Sequence, residues 1–118
     1  MNIEYFREYC LAKKGVTEEF PFDEKTLVFK VMNKMFALTG IDTFASINIK
    51  CDPEKAIELR EQYDSVIPGY HMSKKHWNTV KIDGTISDML ILEWLDHSYD
   101  LVVSGLTKKL KEELKNLD

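Results

Sequence analysis

Residues Thr26–Lys50 read TLVFKVMNKMFALTGIDTFASINIK, and the alternation inside this stretch decides the fold class. In TLVFKVM, Leu27, Phe29 and Val31 fall on one side and Thr26 and Lys30 on the other. In FASINIK, Ala45, Ile47 and Ile49 oppose Ser46, Asn48 and Lys50. A period of two with β-branched and aromatic residues is the pattern of half-buried strands. Together with MFAL, and with TEEFPF upstream, the stretch predicts four strands separated by DEK, NK and TGID, an antiparallel meander with one apolar and one polar face. Asn33-Lys34 is the expected two-residue hairpin loop, since asparagine tolerates a left-handed backbone. Pro21 places the first strand at an edge, because proline cannot donate to a ladder.

Outward from the meander the periodicity becomes helical. Asn2 can cap a first helix reaching about Lys14, with Ile3, Phe6 and Cys10 on one stripe and Gly15 as the stop. CDPEKAIELREQY opens a second helix, with Asp52 as cap, Pro53 in the first turn and Glu54 favoured by the helix dipole; it should end near Asp64. HWNTVKI predicts a fifth strand closed by the turn Asp83-Gly84. Thr85 and Asp88 have capping-box spacing before MLILEWLDHSYDLVVSGL, a helix apolar on nearly every face in its first half. Met89, Trp94 and Tyr99 are expected on its core-facing surface, and His97 and Ser98 are expected to tie it to a neighbour. Residues 107–118 form a C-terminal helical extension with leucine at 110, 114 and 117. The expected architecture is α+β, a two-layer sandwich of about five antiparallel strands with helices on one face, in the order α-β-β-β-β-α-β-α-α. One domain spans 1–118.

Composition bounds the function. The chain has 118 residues, is 44% hydrophobic and carries a formal charge of −4, enough apolar mass for one core and no bulk basicity. Yet charge is segregated: residues 25–50 carry +3 and 65–85 carry +2, against −4 for 86–106. Helices on a sheet would then present a basic bare face, and screening over a Debye length of about 8–10 Å lets such a face act locally. Cys10 and Cys51 lack metal or redox spacing and suit a reduced, cytoplasmic setting. The N-terminus lacks signal-peptide character, and no membrane association is expected.

The chemistry-bearing stretch is GYHMSKKHWNTV, Gly69–Val80. His71 and His76 are not expected on one helical face and have no carboxylate pair beside them, so no metal site is expected. Cys51, next to a helix cap, reads as a small buried hydrophobe rather than a nucleophile, and neither enzyme activity nor a cofactor is expected. Lys74, Lys75 and Lys81 suit phosphate contacts, Trp77 base stacking and Asn78 edge hydrogen bonding. The competing assignment makes Trp77 core, Asn78 a partner of buried backbone and the lysines a solvated turn.

Along nearly its whole length the chain resembles the MmcQ/YjbR family of small bacterial proteins. The resemblance rests on TEEFPF, VFKV followed by KMFAL, CDPEKAIELR, PGYHMSKKHWNTV, the DG after the fifth strand, and DHSYDLVVSGLTKK. Ser73 and Asn33 depart from it, standing where asparagine and glycine are expected. The resemblance implies a layout similar to type III secretion chaperones and DNA binding by a double-wing surface of strand-and-loop elements. It implies a contact set drawn from Lys74, Lys75, His76, Trp77 and Asn78, to which the charge map adds Lys30, Lys34 and Lys50. The expectation is a monomeric, non-enzymatic DNA-binding protein. Its alternative is a protein-interaction or chaperone-like module using the same surface.

Overall fold

The computed structural model describes residues 1–117; residue 118, the end of the expected extension, lies outside them. The elements run α1 (Ile3–Leu11), β1 (Val16–Glu19), β2 (Thr26–Val31), β3 (Lys34–Gly40), β4 (Ser46–Lys50), α2 (Pro53–Gln62), β5 (Val66–Pro68), β6 (Trp77–Lys81), α3 (Asp88–Ser104) and α4 (Lys108–Lys115). One antiparallel sheet of six strands, in spatial order β1-β2-β3-β4-β6-β5, carries α1, α2 and α3 against one face. This is the expected two-layer α+β sandwich with one more strand. β5 has only three residues and ends in proline, too short for any alternation to show in the sequence. Both edges are blunted: β1 has four residues with Pro21 just beyond, and β5 is shorter still, which limits pairing with another chain. No helix among the described residues is long and apolar enough to cross a membrane.

The meander forms because Leu27, Phe29 and Val31 bury on the helix side together with Ala37, Ile47 and Ile49. A β-bulge refines this pattern. Phe29 pairs with Ala37 but Lys30 pairs with Met35, so Phe36 is an extra residue. It joins Ala37 in the helix-side core and meets Tyr99 of α3 edge to face at 5.7 Å. The hairpin loop is Met32-Asn33, one residue earlier than expected: both have positive φ, 49° and 68°, and Lys34 is already paired with Val31. A two-residue turn matched to the sheet twist needs left-handed backbone at both positions.

The helix starts follow cap chemistry. Asn2 Oδ1 accepts from Tyr5 N–H at 2.9 Å, and Asp52 accepts from Glu54 and Lys55 N–H. The α3 cap is Ser87, which accepts from Leu90 N–H, and not the expected Thr85. Thr85 is held elsewhere, donating through both its N–H and its hydroxyl to Asp83 in the turn after β6. α4 docks through buried Leu114. Gly15, at φ 75°, leaves the space this needs, since a Cβ there would meet Leu114 at 2.5 Å.

α3 is tied to β4 and α2 by the two expected side chains. Ser98, fully buried, donates to Lys50 carbonyl oxygen at 2.5 Å, and His97 Nε2 accepts from Asp52 N–H at 3.3 Å. These contacts hold the Lys50-Cys51-Asp52 corner against the long helix, which positions the site below.

Candidate nucleic-acid interface

The outer face of the sheet, away from the helices, is neither bare nor uniformly polar. Val28, Leu38 and Trp77 form a second buried cluster there, with Met35 and Met72 packed against it. Met72 comes from the β5–β6 connection, which folds back over the sheet. It leaves through Gly69, whose N–H donates to Trp77 carbonyl oxygen at 2.9 Å and whose missing Cβ would lie 2.7 Å from Trp77 Cβ. It returns through a turn in which His76 N–H donates to Ser73 carbonyl oxygen at 3.2 Å. Ser73 contributes backbone there, so its departure from the family pattern costs that contact nothing.

What pins this connection is Arg60 of α2. Its Nε donates to Asn78 Oδ1 at 2.6 Å, and Nη2 donates to the carbonyl oxygens of Lys74 and, at 3.3 Å, of Trp77. Asn78 Nδ2 donates in turn to Ala56 carbonyl oxygen at 3.2 Å. A guanidinium presents several donors in a fixed fork, which is why one side chain can hold three acceptors. Sequence reasoning missed this residue. The signal was available: Arg60 stands four residues after Ala56 and one after Leu59, the two buried residues of α2, and so projects toward the sheet.

The structure corrects the predicted contact set. Asn78 is fully buried and its amide is spent on Arg60 and Ala56, so it has no free edge for a base. Trp77 is 5% exposed, too enclosed to stack on a ligand base, because Met72 and the outer-face cluster cover it. Lys30 lies on the outer face but is ion-paired with Glu19 of the neighbouring strand. Lys81 is exposed but remote: β4 and β6 pair Lys50 with Trp77 and Ser46 with Lys81, so Lys81 lies about 13 Å along the strand from Lys50 at roughly 3.3 Å per residue.

The remaining residues of the set converge. Lys34 begins β3, Lys50 ends β4, and Lys74, Lys75 and His76 directly precede β6, so the antiparallel order brings all five to one end of the sheet. Lys34, Lys50 and His76 line a common cleft. Lys50 Nζ lies 5.7 Å from the Trp77 ring centroid, a cation–π contact that holds the ammonium without neutralising it. Among the described residues none of these five has a carboxylate within ion-pair distance, unlike Lys13, Lys25 and Lys30. Arg60, beneath them, is also bound only by neutral oxygens. Both cysteines are buried, and burial pushes the thiols up to about 12 for Cys10 and about 11 for Cys51.

A family model described as YjbR matches residues 11–101. The chain is 33% identical over 118 residues to the uncharacterised protein YjbR of Escherichia coli K12, covering 99% of this chain and 100% of that one. It is 31% identical over 75 residues to uncharacterised YyaQ of Bacillus subtilis, covering 64% of this chain and 63% of that one. Among solved structures, the Deinococcus radiodurans protein DR2400, with its DUF419 domain, superposes with a TM-score of 0.90 at 42% identity, over 99% of this chain and 90% of that one. A Pseudomonas syringae protein superposes at 0.71 with 28% identity, over 86% of this chain and 98% of that one.

Proposed function

The chain belongs to the YjbR family, and from that premise and the strand-end geometry we propose that it is a non-enzymatic protein that binds duplex DNA through phosphate contacts. The observation that carries the reading is the set Lys34, Lys50, Lys74, Lys75 and His76, gathered at one end of the sheet with no carboxylate partner among the described residues. Uncompensated ammonium groups attract a polyanion and release its condensed counterions on contact. Arg60 holds the 69–76 connection in a fixed shape, which lowers the ordering cost of binding. With Trp77 and Asn78 enclosed, the two residues expected to stack on bases and read their edges are lost to the surface, so binding rests on phosphate contacts and depends little on sequence. The test is fluorescence anisotropy with duplexes of unrelated sequence: similar affinities that fall steeply with salt support the reading, and absence of binding at low salt refutes it.

A second reading has its own observation. On the outer face a groove of about 420 Å³ runs over Leu38 and Asn48 between Phe22, 65% exposed, and Tyr70, 68% exposed. Large exposed aromatics beside a groove are the composition of peptide-docking surfaces. The same assays on Phe22→Ala and Tyr70→Ala separate the two: DNA affinity is unchanged if the lysine end binds DNA.

A further inference from the structure

The cleft at the strand ends has a composition that phosphate contact does not require. It encloses about 500 Å³, within the range of small-molecule sites. One wall is basic, formed by Lys34 and Lys50 with His76 beside them, and the other is apolar, formed by half-buried Met35 of β3 and by half-buried Leu101 and Val102 from the C-terminal end of α3, with Trp77 and Leu106 buried behind them. Among the described residues no carboxylate lines it. Phosphate contacts would engage the lysines and leave the half-buried apolar side chains of Met35, Leu101 and Val102 without a use.

We propose that this cleft is a binding site for a small amphipathic acid: a carboxylate head between Lys34 and Lys50, with a hydrocarbon body laid against Met35, Leu101 and Val102. Two features support the orientation. The positive groups sit on the β3 and β4 side, whereas the α3 end contributes carbonyl oxygens and apolar side chains, so an anion is favoured at the first and disfavoured at the second. The walls are also held from behind, by Ser98 and His97 at the Lys50-Cys51-Asp52 corner and by the Cys51 N–H bond to His76 carbonyl oxygen at 2.8 Å. A preformed site loses less entropy on binding.

The test is calorimetric titration of the full chain with hexanoate, octanoate and decanoate below micellar concentrations, with decanamide as the neutral control. The titration contains no nucleic acid, so its outcome and that of the DNA assay are independent. A methylene fully buried tightens binding roughly fourfold, so decanoate should bind at least about tenfold tighter than hexanoate, and decanamide at least about tenfold weaker than decanoate. Lys34→Gln combined with Lys50→Gln, both outside the core, should lose the preference for decanoate over decanamide, while Lys81→Gln should keep it. Chemical-shift changes should centre on the methyls of Met35, Leu101 and Val102. Affinity independent of chain length, equal binding of the amide, or shifts confined to the Phe22–Tyr70 groove would each overturn the proposal.

Discussion

Arg60 Nε donates to Asn78 Oδ1 at 2.6 Å, and through this bond a surface helix grips the first residues of an internal strand and the lysine-bearing connection before it. The arrangement makes Arg60 a positioning residue for a site it does not itself form.

Replacing it should be costly in a specific way. Arg60→Ala leaves Asn78 Oδ1 buried without a donor, a loss of about 1–3 kcal/mol. Arg60→Lys should recover only part, since an ammonium cannot span Asn78 together with the carbonyls of Lys74 and Trp77. Urea unfolding measures the loss, and amide exchange should quicken first in residues 70–77.

Gly69→Ala should destabilise by about 1–3 kcal/mol, the range for forcing atoms into a packed region. The added Cβ would lie 2.7 Å from Trp77 Cβ and 3.0 Å from its carbonyl oxygen, and neither can swing away. Gly40→Ala is the control, because nothing lies within 4 Å of a Cβ built there. Equal thermal shifts for the two variants would contradict the packing.

His97 should make stability fall in mild acid. Burial, aided by nearby Lys55, holds its imidazole below the ordinary 6.5, and Nε2 must stay unprotonated to accept from Asp52 N–H. A histidine whose folded pKa is depressed binds its proton first in the unfolded chain. Its contribution is therefore complete above about 6.5 and declines as pH drops from there toward the lower folded value. His97→Gln should flatten this part of the stability profile, as measured by urea midpoints between neutral and mildly acidic pH.

The lysines should divide by their partners. Four phosphate contacts from Lys34, Lys50, Lys74 and Lys75 give an expected slope of log K against log salt near −3.6, at about −0.9 per contact. Lys74→Glu with Lys75→Glu should abolish DNA affinity at physiological salt with the fold intact. Lys30→Gln should change it little, because Glu19 already occupies that ammonium.

Neither thiol should react with iodoacetamide in the folded chain near neutral pH. Cys10 and Cys51 are buried and held well above the ordinary thiol range, so little thiolate forms. Labelling should appear only under conditions that unfold the protein, and mass spectrometry after a timed pulse measures it.

The sequence by itself determined whatever depends on neighbours along the chain. Alternation in Thr26–Val31 and Ser46–Lys50, the Asp52-Pro53 start of α2 and most of the apolar stripe of α3 were legible because the strand and helix periods and the cap chemistry are local. Met89 is the exception: expected in the core, it is 78% exposed, since it lies two residues and so about half a turn away from buried Ile91. Tertiary structure decided what depends on elements distant in sequence. The three-residue β5 exists only by pairing with β6, and the bulge at Phe36 appears only against β2. The fate of the predicted contact set is the same kind of fact. Asn78 and Trp77 look like ligand-binding residues until Arg60, eighteen positions before Asn78, and Met72 enclose them. Lys30 and Lys50 occupy equivalent positions in their strands' alternation, yet one is neutralised by Glu19 and the other rests on Trp77. Charge availability is set by which side chains cross-strand pairing brings within a few ångströms, and residue identity alone does not carry that information.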